Sequence, residues 1–210
     1  YDHTAFYDFL TYLYIPTPKT MYKNVFKLEP GHYLTIDANT NYVEKTQYWE
    51  LIIRECEDDI QTAESKILGM LEESIQEQMV SDVPVGFFLS GGVDSSAVVS
   101  LACKHSKRVN AFSIGFSDKT HDETFYAGLL AKRHKVDHSI RILTEDAVKA
   151  DFHRIKEWYD EPFGDTSCFP TYAVSSFAKE KTTVVLTGDG ADELFGGYNW
   201  YRSFDKIQKF

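Results

Sequence analysis

The 210-residue sequence predicts an α/β fold, a parallel sheet with helices on both faces, truncated and preceded by a small strand-rich segment. Three observations carry that prediction. Short apolar runs alternate with amphipathic helical stretches from about residue 56 onward, the pattern of repeated strand–helix units. An apolar share of 43% with 15% aromatics is enough for a buried core. Two glycine-rich loops each follow an apolar run, which puts them at the carboxyl ends of strands, where open α/β sheets bind ligands.

Residues 1–55 have a different character. After a short helical start, Thr17-Pro18-Lys19 and Glu29-Pro30-Gly31 punctuate aromatic-rich segments. His32 to Asp37 and Tyr42 to Trp49 alternate like strands joined through Asn39-Thr40-Asn41, a hairpin. Asp58 and Asp59 offer caps to a helix from about Ile60 to Met79, with Ala63, Ile67, Leu68, Leu71 and Ile75 on one face. A domain boundary is expected near residue 55, giving domains 1–55 and 56–210.

Beyond it, Val85 to Leu89 reads as a strand and Val93 to about His105 as a helix, with Ser90-Gly91-Gly92 between them. Val109 to Gly115 is a second strand. Thr120-His121-Asp122-Glu123 has capping-box spacing and opens a helix, after which Val136, His138, Ile140 and Ile142 alternate as a third strand. Thr144 caps a helix running to about Tyr159, Pro170 begins another, and Thr183 to Leu186 is a fourth strand.

Charge and cysteines exclude several classes of function. With 32 acidic against 22 basic residues and a net charge of -10, the chain lacks the clustered Lys and Arg that a nucleic-acid backbone demands. Cys56, Cys103 and Cys168 are far apart, in no Cys-x-x-Cys or His-rich setting, so neither a disulfide framework nor a zinc site is indicated, and a cytoplasmic location is expected. No stretch approaches the roughly 20 apolar residues of a membrane span. A start at Tyr1, and helical spacing of Tyr201, Phe204 and Ile207 up to the end at Phe210, suggest an interrupted domain.

The chemistry is expected in the two loops. In Phe88-Leu89-Ser90-Gly91-Gly92-Val93-Asp94-Ser95-Ser96, the glycines permit a tight turn and close approach of an oxyanion, while the N-terminus of the following helix attracts phosphate. Ser90, Ser95 and Ser96 add hydroxyls. The loop lacks the Gly-x-x-x-x-Gly-Lys of a P-loop, and Asp94 would repel phosphate without an intervening cation, a need that Mg2+ fits. The second loop, Leu186-Thr187-Gly188-Asp189-Gly190-Ala191-Asp192-Glu193-Leu194-Phe195-Gly196-Gly197-Tyr198, fails as a dinucleotide fingerprint. Glu193 takes the place of the third glycine, and three carboxylates line the turn. Asp192 is the second expected metal ligand. Bland readings stand beside these: serine and aspartate as helix caps, glycine as turn chemistry, acids as solvated loop charge. His134 and His138 are four apart but straddle a helix-to-strand change, so one-face metal spacing does not apply and both read as surface or core residues.

Ser-Gly-Gly-Val-Asp-Ser at residues 90–95 resembles the signature loop of the ATP pyrophosphatases, of adenine nucleotide alpha hydrolase-like fold. Thr-Gly-Asp-Gly-Ala-Asp-Glu-Leu-Phe-Gly-Gly-Tyr at 187–198 is similar to the second signature of glutamine-hydrolysing asparagine synthetases. Tyr14-Ile15-Pro16-Thr17-Pro18 and Leu28-Glu29-Pro30-Gly31-His32-Tyr33-Leu34 resemble the stretch closing their glutaminase domain, which makes 1–55 the remnant of an amidotransferase domain. The resemblance spans nearly the whole chain.

It implies a two-step ligase using ATP and Mg2+: the side-chain carboxylate of aspartate attacks the α-phosphate, pyrophosphate leaves, and ammonia derived from glutamine displaces AMP. By the same resemblance, Asp94 and Asp192 bind magnesium and the first loop grips pyrophosphate. The main chain near Leu89, Ile114, Thr187 and Gly188 holds adenosine, and Asp189, which is glutamate in some relatives, lies beside the reacting centre. Ser113-Ile114-Gly115-Phe116 would admit a ribose at its small residue, and Glu161-Pro162-Phe163-Gly164-Asp165-Thr166-Ser167 resembles the acceptor segment. A homodimer is a further family expectation. The family's amino-terminal cysteine has no match, since the first cysteine is Cys56, so glutamine hydrolysis by this chain is not expected; Lys206 and Lys209 come too soon for its catalytic lysine, so turnover by the fragment is not expected even where ATP binds. Other readings remain: adenylation of a different carboxylate, as in β-lactam-forming or peptide-modifying members, a non-catalytic nucleotide-binding module, or a structural α/β interaction domain.

Overall fold

The structure is a computed structural model that describes residues 1–118, 120 and 122–207, without the side chains of Arg202, Asp205, Lys206 and Ile207. His121 and Lys209 therefore lie outside the described residues. The chain forms two compact units, residues 1–57 with 153–167 and residues 58–152 with 168–210.

In the first unit, helix α1 (His3–Tyr12) begins where Asp2 accepts the Thr4 N–H at 2.9 Å, a side-chain cap. The hairpin forms as expected from the sequence: β1 (His32–Ile36) pairs antiparallel with β2 (Val43–Gln47). Its turn is held by Asp37, whose Oδ1 accepts the N–H groups of Asn39 and Thr40 at 2.8 and 2.9 Å. Residues 153–167 belong to this unit: Lys27 pairs with Glu161, the Gly164 N–H donates to Leu13, and the Tyr159 and Phe163 rings stack at 4.9 Å.

The second unit is the α/β layer. Helix α2 (Ile60–Gln78) is capped by Asp59, which accepts the Thr62 N–H at 2.7 Å, while Asp58 instead pairs with Lys66. Only its second half is packed: Ile75 is buried and Leu71 partly so, but Leu68 is 55% exposed, so the predicted apolar face is used over two turns rather than five. Strand β3 (Val85–Phe88), helix α3 (Val93–His105), β4 (Asn110–Phe116), α4 (Thr124–His134), β5 (Asp137–Leu143), α5 (Glu145–Glu157), α6 (Cys168–Ala178), β6 (Val184–Leu186), α7 (Ala191–Phe195) and α8 (Asn199–Ile207) follow. α5 carries the chain from this unit into the first one.

The capping box expected at Thr120–Glu123 is not what starts α4. Thr120 bonds back to Asp118, the Asp122 carboxylate accepts the N–H of Thr124, and the N-cap position is Glu123, three residues later than the spacing suggested and without a side-chain cap bond. Pro170 lies in the first turn of α6 rather than at its start, a position that needs no N–H donor.

All four strands run parallel in the order β5-β4-β3-β6. Alternation along the strands splits their side chains between two cores. Phe87, Leu89, Val109 and Ala111 meet Val99, Ala102, Ala127 and Ala131 of α3 and α4 on one face. Phe88, Phe112, Ile114 and Val185 meet Phe177 and Ala178 of α6 on the other, the Phe112 and Phe177 rings packing edge to face at 5.6 Å. Both faces of the sheet are thus covered, as parallel sheets require. The order also dictates where a ligand goes: β3 has β4 on one side and β6, the last strand in sequence, on the other, so the chain reverses its winding between β3 and β6.

Candidate functional site

The two glycine loops leave the carboxyl ends of β3 and β6, neighbouring strands at this reversal, and they touch. A Cβ on Gly188 would lie 2.8 Å from the Ser95 nitrogen and 3.1 Å from the Asp94 carbonyl carbon, so only glycine lets the second loop rest on the start of α3. Gly91 has φ +99°, and a Cβ there would sit 2.7 Å from the Glu123 carbonyl oxygen, so the first turn likewise accepts only glycine.

Together the loops border a cavity of about 520 Å³. Leu89, Ser90, Asp94, Ser95, Ile114, Thr187, Gly188, Asp189 and Asp192 all line it, as the sequence anticipated. Gly91, Gly92 and Ser96 do not: the glycines shape the turn, and Ser96 points its N–H to the Gly92 carbonyl at 3.1 Å. The wall mixes two chemistries: Phe88, Phe112, Ile114, Phe116, Pro170 and Val174 are apolar, while Asp94, Glu123, Asp189, Asp192 and Glu193 are acidic. Glu123, Thr171 and Tyr198 were not anticipated at this wall, whereas Phe116 belongs to the Ser113–Phe116 segment expected there. Only Tyr198 carried a signal, its place in the second glycine loop.

The serines do something other than face the cavity with open donors. Ser95 is buried, and its Oγ accepts the Ser90 N–H at 3.2 Å, lies 2.9 Å from Ser90 Oγ and donates to the Gly92 carbonyl at 3.3 Å. Ser90 Oγ accepts the Gly92 N–H at 3.2 Å. These hydroxyls close the turn on itself. Gly92, the N-cap of α3, offers no side-chain acceptor, which leaves first-turn N–H groups of that helix to another acceptor.

The second loop is held by local bonds among exposed groups. Thr187 Oγ1 donates to Asp189 Oδ2 at 2.9 Å, and the Tyr198 hydroxyl donates to Glu193 Oε1 at 2.6 Å. That bond holds the Glu193 carboxyl below its ordinary pKa and, with the charges of Glu193 and Asp192 nearby, pushes the Tyr198 phenol up to about 12. Among the described residues no group of three or more His, Cys, Asp or Glu forms a metal cage. Asp94 and Asp192 nonetheless share one wall, and two carboxylates completed by phosphate oxygens match how Mg2+ is usually held.

Gly115 does not face the cavity. A Cβ there would come within 2.7 Å of Ile142 Cδ1 and 3.0 Å of Thr124 Cγ2, so its small size serves packing of β5 and α4 and not a ribose. Its neighbours Ser113 and Ile114 are the ones on the wall. The acceptor-like segment 161–167 lies in the other unit. Cys103 and Cys168 are free thiols, and burial raises the pKa of Cys103. No helix among the described residues is long and apolar enough to cross a membrane.

The family profile and the sequence relatives agree on one family. The asparagine synthase family profile matches residues 66–209. A putative glutamine-hydrolysing asparagine synthetase of Methanocaldococcus jannaschii is 41% identical over 202 residues, covering 93% of this chain and 39% of that protein. Asparagine synthetase [glutamine-hydrolyzing] 1 of Bacillus subtilis is 33% identical over 213 residues, covering 100% of this chain and 33% of that protein. A putative relative from Mycobacterium tuberculosis is 34% identical over 212 residues, covering 100% and 32%. The chain thus spans between about a third and two fifths of these relatives' length. Among solved structures, a glutamine-dependent NAD+ synthetase from Acinetobacter baumannii in complex with ADP aligns with a TM-score of 0.49 at 18% identity, covering 79% of this chain and 31% of that one.

Proposed function

We propose a function from one premise: the chain belongs to the asparagine synthase family. On our reading it is the ATP-binding part of a ligase that adenylates the side-chain carboxylate of aspartate, releases pyrophosphate and delivers the activated acyl group to ammonia derived from glutamine. The observation that carries this reading is the cavity, with both apolar and acidic lining, where the loops after β3 and β6 touch. An adenine ring suits its apolar lining. A triphosphate suits the first turn, with its glycines and the open N-terminus of α3.

The acidic lining supports a cation. Five carboxylates beside a polyphosphate would repel it, so the site needs positive charge, and Asp94 and Asp192 would hold Mg2+. When bound, magnesium neutralises the charge that grows on the leaving pyrophosphate. This chain's own residues orient and bind. The main chain at Leu89, Ile114, Thr187 and Gly188 holds the nucleoside, the Ser90–Ser96 turn presents N–H groups to phosphate, and Asp189, fixed by Thr187, acts beside the reacting carboxylate. Catalysis here is electrostatic, because the nucleophile is the substrate's carboxylate and no side chain attacks. In the same reading residues 1–55 derive from a glutaminase-type domain, and the enzyme is a cytoplasmic homodimer.

Titration calorimetry tests the site. Mg-ATP should bind the chain in a metal-dependent way and Asp94→Ala should lose at least roughly tenfold in affinity, about 1.4 kcal/mol. Equal affinity for parent and variant, with or without magnesium, counts against the site. Pyrophosphate exchange into ATP stimulated by aspartate supports the substrate, and exchange stimulated only by a different carboxylic acid redirects it.

A further inference from the structure

Ser113, at the carboxyl end of β4, is 2% exposed, and its hydroxyl sits between partners on both neighbouring strands. On one side is the carbonyl of Leu89, just past β3, and on the other is Nε2 of His138 on β5, 2.7 Å away. Proton counting gives the direction of both bonds. A carbonyl oxygen only accepts and a serine hydroxyl has one proton, so Ser113 donates to Leu89 and offers His138 only lone pairs. The imidazole therefore carries its hydrogen on Nε2. Partial burial of the ring favours the neutral form, lowering its pKa from the ordinary 6.5.

We propose that His138 is a positioning residue of the ATP cavity, acting through Ser113 to hold the Leu89 carbonyl and with it the entry to the first glycine turn. Its consequence rests on the ATP reading above, whereas its geometry does not. The Leu89 N–H still bonds the Phe112 carbonyl at 3.0 Å as part of the sheet, but the chain then turns away at Ser90. The Ser113 hydroxyl replaces the rung that the departing strand no longer supplies. Leu89 is 1% exposed and lines the cavity, and the next N–H along the chain, that of Ser90, is the one that bonds Ser95 Oγ. Any shift of the Leu89 carbonyl rotates the Leu89–Ser90 peptide plane and so moves that N–H. His138 itself is not part of the cavity wall, so its influence passes through contacts alone.

Three measurements on the full chain test this. Nitrogen-15 NMR at neutral pH should show His138 as the Nε2–H tautomer, and an Nδ1–H tautomer would overturn the proposal. Calorimetry with Mg-ATP should show Ser113→Ala and His138→Phe each weakening binding roughly tenfold. His138→Gln, which keeps an N–H donor, should stay within about threefold of the parent. The double variant Ser113→Ala/His138→Phe should bind no worse than the weaker single one, since both remove the same link, and additive losses or parental affinity in the folded single variants would overturn it. If Ser113→Ala does not fold, the tautomer and the Gln-against-Phe contrast decide. If the parent binds no Mg-ATP, the functional reading fails, and the relay is then judged by amide exchange at Ser90, expected faster in His138→Phe than in His138→Gln, with equal rates overturning it.

Discussion

The two loops that meet at the cavity are built in opposite ways. The turn after β3 closes on itself through a buried Ser95 and three bonded partners, and it carries a single charge, Asp94. The loop after β6 has three carboxylates, leaves Asp189 and Glu193 exposed and ties them only by the Thr187 and Tyr198 hydroxyls. Shape and charge are thus divided between strands. The first turn uses its hydroxyls internally, whereas the carboxylates of the second loop stay solvated, because burying them unpaired would be costly.

The strongest way to break this division is to force the loops apart. Gly188→Val places a side chain against the backbone of Asp94 and Ser95 and should cost about 1–3 kcal/mol of stability and remove Mg-ATP binding, as thermal unfolding and calorimetry will read. Gly91→Ala, at φ +99° and facing the Glu123 carbonyl, should cost about 1–3 kcal/mol by urea unfolding. It strains the first turn alone, so ionisation of Tyr198 in the second loop should not move.

Charge is tested next. Asp94→Asn and Asp192→Asn should be coupled in Mg-ATP affinity by about 0.5–3 kcal/mol in a double-mutant cycle, and strict additivity would show that the two carboxylates do not share a cation.

Two pH effects are smaller. Spectroscopic titration should show one phenol ionising near pH 12, absent in Tyr198→Phe. The folded loop prefers the protonated phenol, so its stabilisation is complete below the ordinary value of 10.0 and is lost as pH rises toward 12. His138 runs the other way. Its lowered pKa means that below 6.5 the unfolded chain takes up a proton that the fold resists, so stability falls as pH drops from there, and His138→Gln should flatten that part of the acid limb.

Much of the fold was legible because parallel strands buried on both faces leave unmistakable apolar runs, as Val85 to Leu89 shows, and because glycines at strand ends mark where a chain turns off a sheet. Nine expected site residues reach one cavity for the same reason. What was not legible involves partners far apart in sequence. Gly115 looked like room for a ribose until Ile142 and Thr124 filled that room. Ser95 looked like a ligand donor until its acceptors proved to lie within its own turn. His138 gave no signal, since its role depends on Ser113 and Leu89, 25 and 49 residues away.

The sequence alone determined the alternation of strands and helices, the family, and the two loops where chemistry is concentrated, because periodicity and turn-forming residues act over short stretches of chain. Tertiary structure decided which of those residues face a common space. Strand order brings the ends of β3 and β6 together across about a hundred residues of chain, and whether a hydroxyl or a glycine serves packing or a ligand depends on what that order places opposite it.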